Sequence, residues 1–394
     1  MKKFLAVLVL VVVIVFSFLL ISSKFDNLNS ALGSIFTGVS EKIENRNVEI
    51  LGQNFNGRYN YYYNSLDDDQ KYVYSIIYDS YNSFAEDFTV NVDAEIFNTI
   101  NNAVLYDNPD IFWVEPIYSY KDFNGYIIVT PTYRNSPESI EKIKNDLDNK
   151  VNEIYEMAQK LQTDYQKELF IHDYICSVAE YDQSTYDTIG DTAYSALING
   201  KTICEGYCRA FKLVLDKCGI KNYMVVGIGE TMDGTEGHMW SVVNIDSENY
   251  YVDITWDDGD ESLVNTTHLY FNMDELEISK EHKDIVPDNN NCNGIMSNYF
   301  HKTGMYLTEL DLQSDSFIDS CVNQLDNYGI IELKFSDANR YNEFMDMISE
   351  SDREIFNALK EINAKSQKNI TTNTVHYIHN DYYLYVCLIF DEVS

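Results

Sequence analysis

The stretch Thr202-Ile-Cys204-Glu-Gly-Tyr-Cys208-Arg-Ala-Phe211-Lys-Leu-Val-Leu215-Asp-Lys-Cys218-Gly219 reads as one helix, with Thr202 as its N-cap and Gly219 as its C-terminal stop. Cys204 then falls in the first turn. There the unpaired backbone N–H groups and the positive end of the helix dipole favour a thiolate, the form of cysteine that attacks carbonyl carbon. Cys208, Phe211, Leu215 and Cys218 continue along one face of the same helix and read as core. Position alone leaves Cys204 open to that structural reading as well.

Residues 223–256 give Cys204 partners. Tyr223 to Gly229 is a short apolar strand, and a Gly- and acid-rich loop leads into His238-Met-Trp240-Ser-Val-Val-Asn-Ile245. A turn at Asp246-Ser247-Glu248-Asn249 precedes a return strand, Tyr250-Tyr-Val-Asp253-Ile-Thr-Trp256, made of strand formers. A hairpin centred between Asp246 and Ser247 sets Asp253 opposite Trp240 and makes His238 its diagonal neighbour on the same face, within reach of an imidazole and a carboxylate. A slip of one residue would put the two on opposite faces. In that register Asp253 orients the imidazole and His238 takes the proton of Cys204, the Cys-His-acid logic of nucleophilic acyl transfer.

Cys204-Glu-Gly-Tyr-Cys-Arg-Ala-Phe, Gly237-His-Met-Trp and Tyr251-Val-Asp253-Ile-Thr-Trp-Asp-Asp together resemble the transglutaminase-like superfamily, in the form found in bacterial surface and secreted proteins. The resemblance covers about residues 165–285. It implies an α+β fold with a papain-like core, the cysteine helix packed on an antiparallel sheet, and it implies the catalytic residues Cys204, His238 and Asp253. Members of the family include cross-linking acyltransferases, peptidases and inactive binding proteins. The expected function is therefore an extracellular cysteine acyltransferase acting on protein or peptide amides through a thioester. The alternatives are a peptidase or amidase with the same triad, and an inactive surface scaffold.

The chain has 394 residues, 45% of them hydrophobic and 14% aromatic, and carries 28 Lys and Arg against 63 Asp and Glu, a net charge of −35. That composition is globular with room for two or three domains, and the negative surface argues against nucleic acid as a partner. Lys2 and Lys3 precede an apolar run from Phe4 to Ile21, long enough to span a bilayer and a poor match to a cleavable signal. The resulting expectation is a membrane partner through an N-terminal transmembrane helix, with the body outside the cell; secretion after cleavage is the alternative. The divisions expected are 1–23 anchor or signal segment, 24–57 tether, 58–135 N-terminal mixed α/β domain, 136–299 core and 300–394 C-terminal α+β domain. The smaller flanking domains carry no nucleophile and base pair.

Other residues have blander readings. The seven cysteines lack a CxxC pair, which argues against a zinc ribbon, and a metal site from Cys204, Cys208, Cys218 and His238 would have unusual spacing. No metal and no cofactor are expected. His172-Asp173 reads as a surface or packing pair. Asp257-Asp258-Gly-Asp260-Glu261 reads as a solvated loop without the ligand spacing of a calcium-binding loop. Trp240 and Trp256 are either strand packing or walls of an acyl site.

Overall fold

Asp67 accepts from the Gln70 amide while the Gln70 side chain accepts from the Asp67 N–H, a reciprocal cap that starts helix α1 (Asp68–Asn82). Strand β1 (Phe88–Val90), helix α2 (Ala94–Asp107), and strands β2 (Val114–Phe123) and β3 (Tyr126–Tyr133) come next. The strands form an antiparallel sheet in the order β1-β3-β2, with Phe123 paired to Tyr126. The computed structural model describes residues 58–391 apart from 124, 186–188, 232–233, 260–263, 350–352 and 373; the described residues all lie in one unit, Gly52–Ser394.

Helix α3 (Pro137–Ala158) is capped by Ser136 with proline in its first turn, and α4 (Asp164–Val178) is capped by Thr163. Two short parallel strands, β4 (Glu180–Tyr181) and β5 (Lys201–Thr202), bring the chain to helix α5 (Cys204–Cys218). Behind α5 stands an antiparallel sheet of β6 (Asn222–Thr231), β7 (Gly234–Ile245), β8 (Glu248–Val252) and β9 (His282–Val286), ordered β8-β7-β6-β9. Tyr207, Phe211, Val214 and Leu215 of α5 are fully buried in the core, and Gly219 ends the helix at φ +76°, as the sequence predicts. Asp246 and Ser247 both take positive φ, 52° and 72°, the two-residue turn whose twist suits a hairpin. Ile245 therefore pairs with Glu248 and Ser241 with Val252, which is the expected register.

A third sheet, β10 (Tyr306–Leu307), β11 (Ile330–Phe335), β12 (His376–Asn380) and β13 (Tyr385–Ile389), is ordered β10-β11-β13-β12. It is accompanied by helices α6 (Asp315–Tyr328), α7 (Ala338–Ser349) and α8 (Arg353–Lys365). The flanking elements grip the core through specific contacts. Tyr61 stacks on Tyr223 at 3.8 Å between ring centroids, Tyr62 donates to the Met224 carbonyl at 2.6 Å, and Arg209 of α5 donates to the Leu105 carbonyl at 3.3 Å.

Three expectations are corrected. The α+β class fits, but the N-terminal transmembrane helix is no part of it: no helix among the described residues is long and apolar enough to cross a membrane, and the run from Phe4 to Ile21 lies outside them. Thr202 is not the cap of α5. It ends β5 and its hydroxyl donates to the Gly190 carbonyl at 2.6 Å, while Ile203 occupies the N-cap position without a side-chain cap. The return strand stops at Val252, because Asp253 turns inward to cap a single helical turn over Ile254–Asp257.

Candidate active site

Cys204 is the first residue of α5 and is half-buried. No side chain caps this helix, and the Gly206 and Tyr207 N–H groups donate to the Ile203 carbonyl at 2.9 and 3.3 Å, which leaves the Cys204 and Glu205 N–H groups without a side-chain cap. Glu205, in the same turn, is neutralised by Arg209, which donates to it at 2.7 and 3.0 Å. Residue 206 has to be glycine, since a methyl group there would lie 2.7 Å from the Gly190 carbonyl oxygen. That close approach seats the start of the helix against the segment before β5.

His238, on β7, is almost wholly buried. Its Nε2 lies 2.6 Å from Asp253 Oδ2, the diagonal reach expected across the hairpin. The remaining ring nitrogen, Nδ1, is the one left for Cys204, which is near enough to favour the charged imidazole. Burial works against charge on this imidazole, but Asp253 and Cys204 outweigh it and push its pKa up to about 10. Burial also acts against the charge of Asp253; His238 and His282 overcome it and hold the carboxyl well below the usual carboxylate range.

Trp256 and Trp240 lie against the His238 ring at 5.2 and 5.8 Å. Trp240 is fully buried and so packs behind the imidazole, whereas Trp256 is partly exposed. The packing reading therefore holds for Trp240.

Two residues escaped the sequence reading. His282 on β9 brings its Nε2 within 2.9 Å of the same Asp253 Oδ2. Flanked by Lys280, Glu281 and Lys283, it has the local signature of an exposed residue; only β9 pairing along β6 turns it inward. Tyr181, 41% exposed, pairs with Thr202 two positions before Cys204. Burial, with Cys204, Glu236 and Asp253 nearby, raises its phenol pKa.

A second cluster bears out packing over surface exposure for His172 and corrects the reading of the acidic run. His172 is completely buried: its Nδ1 is 2.9 Å from Asp173 Oδ1 and its Nε2 is 3.3 Å from Asp257 Oδ2. His268 joins it, with Nε2 3.1 Å from Asp173 Oδ1 and Nδ1 2.5 Å from Glu332 Oε2. Asp257 also accepts from the Tyr270 N–H at 3.0 Å and from Thr267 Oγ1 at 3.2 Å, and Asp258 accepts from Tyr207. The first half of the acidic run is thus internal structure and not a solvated loop.

His172, Asp173 and His268 form one group of potential metal-ligand atoms within 4.8 Å of one another, and His238, Asp253 and His282 form another; neither contains a cysteine. The separation of 2.6 Å in the second group is a hydrogen-bond distance, shorter than the ~3.3 Å between neighbouring ligands of a tetrahedral zinc ion.

Comparison with known proteins is consistent with this arrangement. Residues 154–255, which include Cys204, His238 and Asp253, match the family described as the transglutaminase-like superfamily. No curated protein matches the chain. Among solved structures, a TGase is 18% identical over 43% of this chain and 49% of its own, with a TM-score of 0.25. A candidate cysteine protease from Cytophaga hutchinsonii is 14% identical over 35% of this chain and 61% of its own, TM-score 0.25. A candidate protease from Parabacteroides distasonis is 13% identical over 35% of each, TM-score 0.21. The matches thus span between about a third and three fifths of those proteins' lengths. The segment 154–255, which holds the cysteine helix, the β7 histidine and the aspartate after β8, is thus similar to the transglutaminase-like superfamily.

Proposed function

We propose that the protein is a cysteine acyltransferase acting on protein or peptide amides. Cys204 is the nucleophile: its thiolate attacks the amide carbonyl, and the proton held by the His238 imidazolium goes to the departing amine or ammonia. The thioester then passes to an amine or to water, with neutral His238 taking the acceptor's proton. Asp253 keeps Nε2 of His238 occupied so that Nδ1 faces the sulfur. The observation that carries the reading is the 2.6 Å bond from His238 Nε2 to Asp253 Oδ2, which leaves Nδ1 as the ring nitrogen for the sulfur. First-turn N–H groups of α5 supply charge stabilisation for the oxyanion of the tetrahedral intermediate.

Hydrolysis is the second reading, and one observation favours it. An acid-rich run after Trp256 would draw in a cationic amine acceptor if its carboxylates faced the site, yet Asp257 and Asp258 spend their charge on internal partners. The experiment is to offer the reduced protein a glutamine-containing protein with a labelled primary amine, and to follow amine incorporation, ammonia release and backbone cleavage together. Incorporation that needs Cys204 supports transfer. Cleavage or deamidation without incorporation replaces it with hydrolysis, and equal inertness of wild type and Cys204→Ala leaves the scaffold reading.

A further inference from the structure

His282 lies beyond the segment matched to the superfamily, yet its ring is 1% exposed and set against the catalytic pair. Its centroid is 4.4 Å from that of Trp256, 4.6 Å from Trp240 and 5.6 Å from His238. Nε2 is 2.9 Å from Asp253 Oδ2. An ionised carboxylate only accepts, so Nε2 carries a proton. Nδ1, by contrast, is buried with no hydrogen-bond partner among the described residues. One carboxylate oxygen thus takes two imidazole donors, at 2.6 and 2.9 Å.

From this geometry we infer that His282 is a positioning residue for the acyl-transfer reaction: it anchors the Asp253 carboxylate so that Oδ2 stays aimed at His238 throughout the proton transfers. The inference rests on the assignment of Cys204, His238 and Asp253 as the reacting group. Its physical basis is the place of Asp253 past the end of β8: the backbone is held, its N–H donating to the Tyr270 carbonyl at 3.1 Å and its carbonyl accepting from the Asp257 N–H at 3.2 Å, so the setting of the carboxylate rests on the donors to its own oxygens. The other carboxylate oxygen has a weak hold, the Trp256 N–H at 3.3 Å. Without His282, Oδ2 would keep a single donor, and that donor is the ring whose protonation changes in every cycle. A buried carboxylate so placed is free to rotate toward the Trp256 amide, and the imidazole loses its orientation with it.

The surrounding strands leave space for this ring. His282 pairs with Gly229 across β6 and β9, and a methyl group at Gly227 would fall 2.5 Å from the Lys283 carbonyl and 2.7 Å from Trp240. Glycine on β6 lets β9 and Trp240 close on the imidazole. The titratable groups that face the pair are His238 on β7, Cys204 and Cys208 on α5, Tyr181 on β4, and Tyr270, whose hydroxyl donates to Glu281 at 2.7 Å.

The test compares His282→Phe and His282→Gln in the full chain. The Gln amide can place an N–H near the position of Nε2; Phe cannot. The probe is iodoacetamide, with the rate of Cys204 modification followed by mass spectrometry from pH 4 to 10, alongside steady-state kinetics on any amide that wild type turns over. His282→Phe is expected to slow both by about 10- to 100-fold. The loss should fall on kcat and not KM, and the acid limb should move to higher pH, because Asp253 loses a donor that favours its charged form. His282→Gln should recover most of the rate and the original limb. A folded His282→Phe with the rate and pH profile of wild type would overturn the inference, as would a folded His282→Gln no better than His282→Phe. Turnover that survives Cys204→Ala would instead overturn the acyl-transfer reading itself, so the two failures are distinguishable.

Discussion

Trp256 covers the His238 ring only because residue 229 has no side chain: a methyl group there would lie 2.9 Å from Trp256 Cζ2 and 3.3 Å from His238 Cβ. Gly229→Ala therefore has to push one of the two rings away. Overpacking of this kind costs about 1–3 kcal/mol. We expect a lower thermal midpoint together with a loss of activity larger than that of a substitution of equal stability far from the site. A variant that melts early but keeps full activity would show that the position of Trp256 does not matter to the chemistry.

Removing any member of the reacting group tests the chemistry most directly. Cys204→Ala and His238→Ala should abolish acyl transfer, and Asp253→Asn should reduce kcat by about 10,000-fold, because an amide presents the wrong hydrogen-bond pattern to Nε2. Combining Cys204→Ala with His238→Ala should cost no more than either alone, as expected of residues that act as a unit. Steady-state rates with unfolding curves for each variant make the check. Additive losses would mean that the two side chains do not cooperate in one step.

The His238 pair also sets the pH dependence. Its folded pKa, pushed up to about 10, exceeds the ordinary value of 6.5. Its charged form therefore contributes stability that is fully present below about pH 6.5 and lost as pH rises through about 10. The same titration removes the proton needed by the leaving amine. Activity should thus hold into alkaline conditions and fall near pH 10, and Asp253→Asn should move that limb to lower pH. An alkaline limb near 6.5 in wild type would contradict the ion pair.

The register that places His238 beside Asp253 was legible because it depends on local chemistry: Asp246-Ser247 is a short turn between runs of strand formers, and Ser241 pairs with Val252 accordingly. Gly219 was legible for the same reason. The cap of α5 was misread because Thr202 has the right side chain for the task but is already committed to β5 and the Gly190 carbonyl. Ile254-Thr255-Trp256 has strand propensity, yet the buried Asp253 carboxylate draws the chain into a turn. His172, Asp257 and His282 could not be placed from sequence at all, since each is buried by a partner at least 29 residues away.

His268 and Glu332 tie the loop after the acidic run to β11 of the third sheet. Both side chains are fully buried and lie 2.5 Å apart, and Glu332 Oε1 also accepts from the His268 N–H at 2.9 Å and from Tyr385 at 2.7 Å. Burial opposes charge on His268, but Glu332 and Asp173 outweigh it and push its pKa up to about 10. Because that value is above the ordinary 6.5, the stabilisation is complete below about pH 6.5 and lost as pH climbs through about 10. Glu332→Gln leaves His268 facing Asp173 alone, and breaking a buried pair costs about 3–5 kcal/mol. Urea unfolding at pH 6, 8 and 10 should show the variant weakest relative to wild type at pH 6, with the gap closing at pH 10. The same contact predicts that a chain ending at residue 299 is less stable than the full chain, since His268 then loses Glu332 and Glu277 loses Lys334, 2.6 Å away. If the shortened protein unfolds at the same urea concentration as the whole, the network contributes nothing to holding the core.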